Sequence, residues 1–184
     1  VVYANGTLNC DGTPKDDLVY SNTCEELKQD PHLFDEELGV CSTCGQFEKD
    51  ADGYVLVRSG KALRLVAERV NGGQTEMNLR FVADLDLSDG DWTPIGNDTK
   101  IFRGNVDGQG HTISGMKVDW YEPGAGLFGT VSAGNFSDIV IDASCSVTGI
   151  KYSGGLIGHS YGSGTVNITR VGVGCSVTRT GAAA

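Results

Sequence analysis

GLFG (Gly126–Gly129) returns as GLIG (Gly155–Gly158) 29 residues further along, and CSVTG (Cys145–Gly149) returns as CSVTR (Cys175–Arg179) after 30. Two motifs recurring in one order at one spacing mark an internal repeat. A period near 30, built of short apolar segments and turns with no helix between them, predicts a solenoid. Its coils would stack about 4.8 Å apart, the spacing of hydrogen-bonded strands. Working outward, candidate strands are Leu79–Leu87, Ile101–Val106, His111–Asp119, Ser137–Ala143 and the segment around 166–173. Residues 78 to 180 then form about four coils. Alternation in Asp138–Asp142 sends Ile139 and Ile141 to one face and Val140 to the other. The predicted interior is Phe81, Leu85, Leu87, Ile95, Phe102, Ile113, Leu127, Phe128, Ile139, Ile141, Leu156 and Ile157, with Trp92 and Pro94 seating a turn against it.

Composition agrees with a chain of many tight turns. The 184 residues hold 27 glycines but only 4 prolines, too little Gly plus Pro for a low-complexity chain and without the collagen period of three. The net charge of −10 offers nothing to replace counterions on a phosphate backbone, which excludes nucleic acid as a partner. No stretch reaches the ~18 apolar residues of a membrane span, so no direct membrane insertion is expected. The first residue is valine and no charged-then-apolar leader precedes it, which reads as a mature secreted product or a piece of a longer chain.

One helix is predicted. Ser59 can cap it, Ala62, Leu63, Val66 and Val70 fall at helical spacing, and Asn71-Gly72-Gly73 ends it. It would cover the first coil and shield its strand edges, with no comparable cap at the other end. Residues 1–56 form a cysteine-rich segment with poor hydrophobic periodicity, and residues 57–184 carry the helix and the coils.

The stretches DLDLSDGDWTPIGN (Asp84–Asn97) and FRGNVDGQGHTISGMKVD (Phe102–Asp119), followed by GLFG and GGLIG, resemble the GLUG-motif proteins, a family of repeat-bearing surface and secreted proteins. The helix with its VNGG ending and PHLF…GVCSTCG (Pro31–Gly45) resemble segments that often precede that core, so the likeness covers most of residues 31–178. The resemblance implies a mainly β chain folded as a right-handed parallel β-helix, with an extracellular adhesive or structural role and no catalytic residues to carry over. The cysteines of the two repeated coils depart from the family pattern.

Cys145 and Cys175 occupy equivalent places in adjacent coils, about 4.8 Å apart by strand spacing. That separation suits a disulfide; the alternative is two buried thiols packed as small apolar groups. Cys10, Cys24, Cys41 and Cys44 are read as two structural disulfides of unassigned pairing. Cys41-Ser-Thr-Cys44 has the C-x2-C spacing of a zinc knuckle, but Cys10 and Cys24 are 14 apart and make no second one. Redox chemistry would need a βαβ setting that is missing. No metal and no cofactor is therefore expected. The sequons at Asn5, Asn97, Asn135 and Asn167 are candidate glycosylation sites and, with the even cysteine count, point to an oxidising compartment.

Asp50 and Asp52, and the group Asp84, Asp86, Asp89 and Asp91, invite a calcium reading but lack the EF-hand spacing, and turns explain them. Polysaccharide cleavage needs paired carboxylates across a groove. Here His32, His111 and His159 are scattered, with His111 read as bonding backbone and His159 as facing solvent, so no catalytic residue is expected. The expected function is a structural or adhesive protein whose partner is itself, in a filament or coat built through open β-helix ends, or another surface protein or glycan. A carbohydrate-binding module using Trp120, Tyr121, Tyr152 and Tyr161 is the second reading.

Overall fold

The computed structural model describes residues 2–3, 20–21 and 32–180, and the chain divides into two compact units, Val1–Glu48 and Lys49–Ala184. Asn5, Cys10 and Cys24 lie outside the described residues. In the first unit, β1 (Val2–Tyr3) and β2 (Tyr20–Ser21) pair antiparallel. The second unit is a parallel β-solenoid. It opens with β3 (Val55–Val57), so the sequence boundary at 56/57 falls inside a strand of the solenoid.

After β3 comes α1 (Gly60–Asn71), then β4 (Leu79–Phe81) and β5 (Leu85–Asp86). The next turn lays down β6 (Val106–Asp107), β7 (Thr112–Ser114), β8 (Lys117–Trp120) and β9 (Phe128–Val131). The following one gives β10 (Gly134–Ser137), β11 (Val140–Ile141), β12 (Ser146–Gly149) and β13 (Ile157–Ser160). The last described coil holds β14 (Val166–Thr169), β15 (Gly172–Val173) and β16 (Ser176–Arg179). Parallel pairing orders the sheets β14-β10-β6-β4-β3, β15-β11-β7-β5, β16-β12-β8 and β13-β9, so about three turns carry the chain from β4 to β14.

Register makes the core a set of columns. Val55, Leu79, Val106, Phe136 and Ile168 stack in the first sheet; Leu85, Ile113, Ile141 and Val173 in the second; Val118, Val147 and Val177 in the third. Every predicted interior residue is buried except Ile157, which is half-buried in β13. Val140 faces outward between buried Ile139 and Ile141, as the alternation predicts. Trp92 is buried and its indole N–H donates to Leu127 O at 3.0 Å, seating the turn beside Pro94.

Beside the first core column runs a ladder of amides. Asn105 donates to Asn78 Oδ1 at 3.1 Å, Asn135 to Asn105 Oδ1 at 2.8 Å, and Asn167 to Asn135 Oδ1 at 2.9 Å. The backbone N–H groups of Asn105 and Asn135 add bonds to the same oxygens. Asn105 and Asn135 each accept and donate along the stack, so one residue type at one corner satisfies itself coil after coil.

The two ends of the solenoid differ. At the first, α1 is capped as predicted, with Ser59 Oγ accepting from Ala62 N, and buries Ala62, Leu63, Val66, Ala67 and Val70. It lies against β5, at a level where the second sheet has no further strand among the described residues. Its polar side chains take the hydrogen bonds a strand would make: Arg64 donates to Leu87 O, Gly90 O and Asp91 O, while Asn71 bridges Pro94 O and Gly96 N. Gly96 must be glycine, because its φ is +79° and a Cβ would meet Thr130 O and Phe102. At the other end, Ile168, Val173 and Val177 continue the core columns yet are 56%, 48% and 46% exposed.

Candidate functional site

The last described coil leaves backbone and apolar groups uncovered together. Among the described residues, β14, β15 and β16 each have a strand on one side only. Their inward apolar positions are open to solvent because no further described coil lies over them. Such an edge offers a row of backbone donors and acceptors flanked by apolar side chains.

A second cluster lies on β13. Tyr152 stacks on His159 with ring centroids 4.2 Å apart and planes at 14°, Tyr161 lies 5.7 Å from the same imidazole, and the Lys151 ammonium sits 5.0 Å from the Tyr152 ring. His159 pairs in register with Thr130, whose Oγ1 donates to Asp98 Oδ1 at 2.7 Å. The His159 side chain is only 20% exposed, so the solvent-facing reading is corrected: the two tyrosines cover it. Its Nδ1 is buried without a hydrogen-bond partner, with Asp98 Oδ1 3.6 Å away. Of the four aromatic candidates, Tyr152 and Tyr161 meet around this ring. Trp120 instead ends β8 beside Gly149, and exposed Tyr121 donates to Asp119 at 3.5 Å.

Cys145 and Cys175, the two cysteines expected to bridge adjacent coils, stand as thiols. The Cys145 thiol turns back to the preceding coil, donating to Ile113 O at 3.5 Å. Burial pushes the Cys145 and Cys175 thiols up, away from the reactive thiolate. Cys41 and Cys44 instead converge with His32, the donor atoms of all three lying within 4.8 Å of one another. A spacing rule that looks for paired knuckles overlooks His32.

The acidic groups work as turn formers. Asp86 accepts from Ser88 N, Asp142 from Ser144 N and Oγ, and Asp84 from Thr112 N and His111 Nδ1. The His111 side chain thus bonds a carboxylate, not backbone. Asp89 pairs with Arg64 and Asp91 with Lys117. The sequon residues have structural partners too. Asn97 Oδ1 accepts from Thr99 and Lys100 in a turn, while Asn135 and Asn167 belong to the amide ladder.

These bonds set a pH dependence. The Thr112 amide holds Asp84 below the usual carboxylate range, the Ser88 amide does so for Asp86, Arg170 for Asp138, and the Ser144 hydroxyl for Asp142. A depressed folded pKa contributes stability above the unfolded value, about 3.9, that is lost as pH falls through the folded value. Thermal unfolding followed from about pH 7 to about pH 2 is therefore expected to show a flat Tm down to about pH 5 and a fall below about pH 4. Asp142→Asn and Asp138→Asn are expected to make that fall shallower.

No helix among the described residues is long and apolar enough to cross a membrane. No family profile matches the chain, and no curated protein or solved structure matches it.

Proposed function

We propose that this chain is a non-catalytic structural or adhesive solenoid of the GLUG-motif type, extracellular in location, that associates through the coil formed by β14, β15 and β16. The observation that carries this reading is the asymmetry of the solenoid: α1 lies against its first coil, while among the described residues no strand lies over the three core columns of the last one. The sequence likeness and the sequons support the family and the location.

A second copy is the occupant proposed. With one end covered, a filament would need α1 displaced, whereas two open coils meeting across a two-fold axis close a dimer. Sedimentation and negative-stain imaging are expected to show a concentration-dependent dimer, and Ile168→Lys with Val177→Lys is expected to leave a folded monomer. A wild-type chain that stays monomeric at its highest soluble concentration overturns the pairing, as would a dimer indifferent to both lysines.

Carbohydrate recognition is the second reading, favoured by the Tyr152, His159 and Tyr161 cluster. Flat rings beside a carboxylate and an ammonium suit the apolar faces and hydroxyls of a sugar. Retention on immobilised polysaccharide that Tyr152→Ala and Tyr161→Ala abolish would support it; equal retention of the variants would sink it.

A further inference from the structure

We infer that His32, Cys41 and Cys44 bind one zinc-class divalent cation. Two consecutive turns in the first unit build the site. Asp35 Oδ1 accepts from the N–H groups of Glu37 and Leu38, and Gly39, with φ +62°, closes that turn with its own N–H on Asp35 O. The chain returns antiparallel, so that Phe34 bridges Cys41. The second turn follows at once: Gly45 N donates to Cys41 O and Cys41 N donates to Gln46 O, both at 2.8 Å, with Gly45 at φ +69°. This loop from Cys41 to Cys44 brings its two thiols toward one point.

The imidazole arrives from the other arm. His32 stands just before Phe34, and its ring stacks on Phe34 at 5.4 Å. Nδ1 lies 3.5 Å from the Cys44 Sγ. A tetrahedral zinc with Zn–S near 2.3 Å and Zn–N near 2.0 Å holds its ligand atoms roughly 3.5–3.8 Å apart. The arrangement therefore needs little movement to close on an ion.

Ligand chemistry chooses the cation. Two thiolates and a neutral imidazole are soft and borderline donors, which favour zinc over calcium or magnesium. Binding releases one proton from each thiol, so the ion's two positive charges meet two negative ones. The fourth tetrahedral position is left for a water or a further donor. A unit this small, with poor hydrophobic periodicity, gains folding energy from such a staple.

The test uses the full chain, purified with reductant and loaded with zinc or cobalt. One tightly held ion per chain is expected, with release of about two protons on binding. Cobalt should add a thiolate-to-metal absorption band that zinc removes. His32→Ala is expected to weaken binding by about 100-fold or more, since loss of a partner outside the ligand set already costs up to about 100-fold. Cys41→Ser with Cys44→Ser should abolish binding, and Cys145→Ser should leave it unchanged. Far-UV circular dichroism confirms that each variant keeps the solenoid. Failure of the reduced chain to hold one ion, binding that survives the double serine change, or a stable Cys41–Cys44 disulfide in chain purified without reductant would each overturn the inference.

Discussion

Phe128→Ala is expected to destabilise the solenoid by about 3–5 kcal/mol, a drop of roughly 10 °C or more in Tm for a unit of this size. Phe102, Phe128 and Phe136 meet in the interior and are fully buried. Their centroids are 5.0 Å apart for the first two, 5.0 Å for the last two, with an edge-on 76° contact, and 6.1 Å for the outer pair. Removing the middle ring leaves a cavity between the other two, and those rings cannot close it without breaking their own ladder bonds. Phe128→Leu keeps most of the volume and should cost far less. Chemical denaturation of both variants checks the pair; equal, small losses would place Phe128 outside the core.

Gly158→Val is expected to cost about 3 kcal/mol and to separate β13 from β9. A Cβ at Gly158 would run into the backbone of Gly124 and Ala125, and backbone in an in-register ladder has no rotamer by which to yield. Gly172→Ala is the control, since a Cβ there meets nothing within 4 Å. If both substitutions are tolerated equally, the glycines of GLFG and GLIG are not stacking contacts. The same comparison tests why the repeat keeps glycine at this site.

The sequence reveals the coils because a repeat needs the same residue at the same corner. GLFG and GLIG fall on equivalent levels, with Ile157 opposite Phe128, and Ser59 caps α1 as its position implies. A second repeat is written in the chain less openly: Asn78-Leu, Asn105-Val, Asn135-Phe and Asn167-Ile set an amide before the core residue of each turn. Its spacing drifts through 27, 30 and 32 residues as loops lengthen, which hides it from a fixed-period search. The sites are harder to see. His32 reaches the thiols only because the Asp35 turn folds its arm back, and His159 is covered only because Tyr152 stacks on it. Neither neighbour is implied by spacing along the chain, whereas strand stacking is.

The hydrogen bonds from Arg64 and Asn71 to the carbonyls of residues 87–94 also anchor the coil on which the later turns stack. Synthesis delivers β3 and α1 before any coil above them. Each later turn makes its ladder contacts to the turn before it, so the loop it closes spans about 30 residues instead of the whole chain. A solenoid stacked this way can be lengthened by copying a coil, while the level beside α1 stays fixed by one arginine and one asparagine.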